Sequence, residues 1–115
     1  MSKIIQLIIH SLPLLFGILL SYIFWRYNVI LLIIYLAMSG FLIFFSKDRK
    51  VEMWIFFYGL TAGAFIEIIG TKISGYQNFE NPDILGIPYW LLVAWGYGFV
   101  LMKRIGLILK NNSPW

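Results

Sequence analysis

The chain has 115 residues, 61 % of them hydrophobic and 12 % charged, with a mean hydropathy of +0.84 and a formal net charge of +4. A soluble domain carries about a quarter charged residues, so these charges are too few to coat a water-soluble fold, and part of the surface must face lipid. The lack of cysteine excludes disulfide and thiolate chemistry, and the single histidine, His10, has no carboxylate cluster around it in sequence, so no metal site is expected. In so apolar a chain the basic excess reads as anchoring of helix ends to anionic headgroups, not as a nucleic-acid footprint.

A bilayer core of about 30 Å takes about 20 residues of helix, and four apolar segments come close. The expectation is an all-α, polytopic membrane protein, one domain over residues 1–115, with spans at 4–25, 29–45, 53–70 and 88–102. Span one starts just after Met1-Ser2-Lys3. Its apolar run is too long for a signal-peptide core and no small-x-small cleavage site follows, so it reads as a retained span. It closes at the interfacial group Trp25-Arg26-Tyr27-Asn28. Span two ends at Ser46-Lys47-Asp48-Arg49-Lys50. Spans two and three are near the lower length limit. Span four opens near Pro88, a residue suited to a first helical turn, and ends before Lys103-Arg104. The remaining tail from Ile105 is too short to cross and is expected at the interface.

Orientation follows from the basic residues. With the N-terminus in the cytoplasm, Lys3, Lys47, Arg49, Lys50, Lys103, Arg104 and Lys110 lie inside, seven of the nine basic residues, against Arg26 and Lys72 outside. Both termini are therefore expected to be cytoplasmic. Between spans three and four, residues 71–87 hold Gly75, Tyr76, Gln77, Asn78, Glu80, Asn81, Pro82, Asp83 and Gly86, which punctuate turns rather than extend a helix. Irregular backbone cannot face hydrocarbon, so this outer loop must lie at the interface or fold over a protein-lined cavity.

Two stripes of small and polar residues run along the spans. In span three, Gly59, Gly63, Glu67 and Gly70 recur at helical spacing, and Gly59/Gly63 form a GxxxG pair that permits close helix approach. As a structural feature this is a packing seam. Glu67 is different, because a carboxylate within a span is costly and ordinarily faces protein or water with a partner. It sits roughly 21 Å above Met53 at 1.5 Å per residue, in the outer part of the membrane. It reads as an interfacial Glu solvated from outside, or as the acid, base or charge partner of a site. In span one, Gln6, His10, Pro13, Gly17 and Ser21 share a side; Pro13 removes a donor and frees the carbonyl near position nine. His10 lies at a depth about 12 Å from Glu67, so it reads as a seam residue and not as Glu67's dyad partner. Arg26 and Lys72 are the nearer counter-charges. Tyr76, Asn78, Asp83, Trp90 and Trp95 complete a candidate ligand-binding set with Arg26, although an interfacial aromatic belt accounts for tryptophans near the helix ends equally well.

Glu67-Ile68-Ile69-Gly70, Gly75-Tyr76, Leu85-Gly86-Ile87-Pro88 and Ala94-Trp95 together resemble, over about 30 residues, the signature of polytopic carotenoid-biosynthesis membrane proteins of the carotenoid hydratase type. The resemblance implies a membrane enzyme or enzyme relative acting on an isoprenoid, with Glu67 as the acid or base that protonates an isolated double bond. A looser likeness to membrane lycopene cyclases breaks at the acidic residues that follow their Pro, where Tyr89 and Trp90 stand here. The Glu-Ile-Ile-Gly-Thr string is similar to small multidrug-resistance exporters, but their Glu lies in the first span and Glu67 in the third.

Three functions stay open from the residues: an enzyme or enzyme relative on an isoprenoid-like lipid, an oligomeric small transporter or channel assembled through the Gly59/Gly63 and Gly17/Ser21 faces, and an accessory subunit with a membrane partner. No cofactor is identified, since no phosphate-binding glycine loop, nucleophile arrangement or metal-ligand spacing is present.

Overall fold

The computed structural model describes residues 2–70 and 88–110, and within them the chain is all-helical, with four helices: α1 (Lys3–Phe24), α2 (Asn28–Phe44), α3 (Arg49–Ile68) and α4 (Tyr89–Leu109). Three of them, α1, α3 and α4, are long and apolar enough to cross a membrane, while α2 is a shorter apolar helix of 17 residues. Ser2 caps α1, its hydroxyl accepting from the Ile5 amide at 3.2 Å, which satisfies one of the orphan donors of the first turn. The helix passes through Pro13 without ending. At its exit Arg26 lies over the Trp25 ring, 4.8 Å from the centroid. Pro88 precedes α4 in an extended conformation, where its missing N–H costs nothing.

Successive helices run antiparallel, as the cross-chain contacts require. Lys3 at the start of α1 reaches the Leu109 carbonyl at the end of α4, and Glu52 at the start of α3 meets Arg104 near that same end. Asn28 at the head of α2 meets Trp90 at the opposite end. Helix α4 packs against all three of the others and supplies most of the core. Trp90, Val93, Tyr97, Val100, Leu101, Arg104 and Ile108 are buried along it at steps of three and four, one continuous helical stripe. Leu31 and Tyr35 of α2 and Phe56 of α3 close on that stripe. Exposed large apolar side chains, among them Ile4, Leu15, Ile33, Phe41, Trp54 and Phe65, cover the outside of α1, α2 and α3. A surface of this kind in water would be an extreme apolar patch; in lipid it is the ordinary outer face.

Two helix limits depart from the sequence expectation. Helix α3 begins at Arg49, not near Met53, and α4 continues to Leu109, well past residue 102. The stretch from Ile105 onward is thus helical for another turn, with Ile108 fully buried. The physical reason is that the charges read as helix-end markers, Lys103 and Arg104, turn inward onto Glu52, so the helices can carry them within their length.

Candidate functional site

Glu67 is buried near the end of α3, and the Trp95 indole N–H of α4 donates to its Oε1 at 3.0 Å. The glycine stripe explains how Trp95 arrives there. A Cβ on Gly63 would overlap the Trp95 side chain, and one on Gly59 would come within 2.6 Å of Phe99 Cγ. The two glycines are thus the floor on which the aromatic side chains of α4 rest, and the close approach is made within the chain. Gly96 completes the seam from the other side, with the Phe56 carbonyl 2.7 Å from where its Cβ would stand. Gly70 is buried, just beyond the end of α3.

The span-one stripe is used by α2 and α4. The Gly17 carbonyl accepts from Tyr35 Oη at 2.7 Å and from Ser21 Oγ at 3.0 Å, and the two hydroxyls stand 2.6 Å apart. A Cβ at Gly17 would press on Tyr35 Oη and Tyr97 Cε1, both at 3.2 Å. Tyr97 Oη donates to the Pro13 carbonyl at 2.8 Å. These bonds pin α1 to its neighbours through backbone carbonyls next to the proline. His10 is buried, with Nδ1 2.9 Å from the Gln6 carbonyl one turn before it.

Among the ligand-binding candidates, Trp90 is buried, stacks on Tyr35 at 6.2 Å between centroids and donates from Nε1 to Asn28 Oδ1 at 3.2 Å. It lines a cleft of about 300 Å³ with Gly17, Ser21, Tyr35 and Tyr97. Arg26 is exposed beside Trp25. Tyr76, Asn78 and Asp83 lie outside the described residues, as do Lys72 and the whole of the 71–87 loop. The structure therefore joins Glu67 to Trp95 and, separately, Trp90 to Tyr35 and Ser21.

Two features carry no mark in the motif reading. One is a groove of about 800 Å³ between α1 and α2, lined by Ile9, Leu12, Pro13, Phe16, Leu19, Ala37, Met38, Phe41 and Leu42 with Tyr97 at its base. Its only hydroxyl, that of Tyr97, is already bonded to Pro13, so it offers dispersion and shape, in the size class of ligand pockets. The other is Glu52, fully buried and held by Arg104 through Nη2–Oε1 at 2.7 Å and Nε–Oε2 at 2.9 Å and by Lys103 Nζ at 3.0 Å. Arg104 Nη2 also donates to the Leu42 carbonyl at the end of α2 at 2.8 Å. One cluster thereby ties α2, α3 and α4 together. A sequence signal for it existed: Glu52 and Asp48 are the only acidic residues at an end crowded with seven basic ones. Among the described residues no group of three His, Cys, Asp or Glu side chains is placed to hold a metal ion.

No protein-family model, curated protein or solved structure matches the chain.

Proposed function

We propose that this chain is a four-span integral membrane protein that binds the apolar chain of a lipid or isoprenoid in the groove between α1 and α2. The groove carries the reading: a concave surface of about 800 Å³ lined by aliphatic and aromatic side chains, on a molecule whose remaining outer face is suited to lipid. At 17 residues α2 is about 26 Å long, enough to cross with its flanking residues at the interfaces. The basic residues at the Lys3, Lys47–Lys50 and Lys103–Lys110 end favour the cytoplasmic side for both termini. The experiment is lipid extraction from the purified protein. Wild type retains bound lipid through detergent exchange, and Ala37→Trp, which fills the groove from an exposed position, loses it. Equal retention by both proteins would refute the groove as the seat.

A second reading is favoured by the buried Glu67 carboxylate and its Trp95 donor: Glu67 acts as acid or base on an isoprenoid double bond. A carboxyl group positioned beside a bound double bond can give or take a proton in such a step. Co-expression with a lycopene-producing pathway tests it by pigment chromatography. A new pigment that disappears in Glu67→Gln supports the reading, and an unchanged profile with wild type removes it.

A further inference from the structure

The α1/α2 groove does not end in apolar residues. Phe41 and Leu42 line it and also line an adjoining cleft of about 250 Å³ completed by Phe45 and Arg104. The groove runs along α1 from Ile9 to Leu19, about 15 Å at 1.5 Å per residue, and the cleft continues it towards the end of the bundle where Arg104 lies. Arg104 is a cation with 7 % of its side chain exposed, so nearly all its solvation must come from the protein.

The protein supplies only part of it. A guanidinium has five N–H donors. Nε and Nη2 are spent on Glu52 and on the Leu42 carbonyl, and Nη1, which is not enclosed, makes no hydrogen bond among the described residues. The charges are not balanced either. Two cations, Lys103 and Arg104, share the single Glu52 carboxylate, leaving the cluster with a formal excess of one positive charge that favours an anion beside it.

We propose that Arg104 binds the phosphate of an anionic phospholipid drawn from the surrounding bilayer, with one acyl chain of that lipid lying in the α1/α2 groove. The proposal rests on the reading of the groove as a lipid-chain site and adds the headgroup. Arginine suits it, because the two N–H groups of Nη1 remain to donate to phosphate oxygens, and a bond from a guanidinium to a phosphate is charge-assisted. The depth is also consistent. Arg104 pairs with Glu52 in the first turn of α3, at the end of the bundle where most basic residues gather, and the groove leads from there towards its middle.

The test uses the full chain in mild detergent, offered equimolar phosphatidic acid and phosphatidylcholine with identical acyl chains, with bound lipid read by native mass spectrometry. Wild type should retain phosphatidic acid over phosphatidylcholine by about fivefold or more, the factor that one basic residue's attraction for an anionic headgroup amounts to. Phe45→Asp, at an exposed position in the cleft, offers Arg104 a carboxylate and repels phosphate without removing any bond of the Glu52 cluster. It should bring the ratio close to one while leaving the thermal midpoint near wild type. Should Phe45→Asp fail to fold, Lys103→Met is the second variant: it removes the excess positive charge while leaving the Arg104 bonds to Glu52 in place, and the preference should shrink in it.

Equal retention of the two lipids by wild type overturns the headgroup proposal. In that case loss of both lipids in Ala37→Trp would leave the groove reading standing, whereas no loss would remove that reading too. A preference that persists unchanged in a folded Phe45→Asp protein, or in Lys103→Met where Phe45→Asp does not fold, places the anion away from Arg104 and also overturns the proposal. Displacement of phosphatidic acid by millimolar inorganic phosphate would show that the acyl chain adds nothing, and would overturn the joint site.

Discussion

Arg104 holds Glu52 in a two-pronged grip, Nη2 to Oε1 at 2.7 Å and Nε to Oε2 at 2.9 Å, with the carboxylate wholly shielded from solvent. The pair joins residues 52 positions apart in the chain and brings the start of α3 to the end of α4. Because Arg104 also donates to the carbonyl of Leu42, the same guanidinium satisfies one of the carbonyls that α2 leaves open at its C-terminus.

Removing Glu52 leaves two cations packed without their counter-charge. Breaking a buried pair by deleting one partner costs about 3–5 kcal/mol, and Glu52→Ala should lose stability in that range by thermal unfolding in detergent. Lys103→Met should lose far less, since Lys103 is the more exposed of the two cations and contributes a single bond.

The glycines divide into two groups by what a methyl would meet. At Gly59 and Gly63 it would run into Phe99 and Trp95, and overpacking of this kind costs about 1–3 kcal/mol. At Gly40, Gly98 and Gly106 it meets nothing within 4 Å, so alanine there should be neutral or stabilising by up to about 1 kcal/mol through helix propensity. Thermal midpoints of the five alanine variants test the division.

Glu67→Gln keeps a carbonyl oxygen for the Trp95 indole to donate to, whereas Trp95→Phe leaves the Glu67 oxygen without that donor. The glutamine variant should unfold close to wild type and the phenylalanine variant should lose about 1 kcal/mol or more. A large loss in Glu67→Gln would show that the negative charge itself holds α3 in place.

Ser39 is buried on α2 and its Oγ has no hydrogen-bond partner among the described residues. Burying a hydroxyl without a partner costs about 1–3 kcal/mol, so Ser39→Ala should raise the thermal midpoint. A lowered midpoint would mean that the hydroxyl is satisfied in the membrane.

Much of the helical framework was legible because it depends on local quantities. Apolar run lengths marked out the four helices, and the steps of Gly59, Gly63 and Glu67 put them on one stripe whatever they faced. The partner of that stripe was not legible. Whether Gly63 receives a second molecule or Trp95 of its own chain depends on which helix lies in the centre, and α4 takes that place through its buried stripe from Trp90 to Ile108. Glu52 escaped for a related reason. A basic pair at positions 103 and 104 looks the same in sequence whether it anchors to headgroups or folds onto a carboxylate brought in from another helix. The groove between α1 and α2 is a property of helix spacing, and no single residue in it announces itself.

The claim that lipid sits between α1 and α2 is tested most directly by photo-crosslinking. The full chain would be reconstituted with a phospholipid carrying a diazirine in its acyl chain, irradiated, and its adducts mapped by peptide mass spectrometry. The expected adducts concentrate on Ile9, Leu12, Phe16, Met38 and Phe41, well above those on the exposed Trp54, Tyr58 and Phe65 of α3. Adducts spread evenly over the outer faces of all the helices would contradict it.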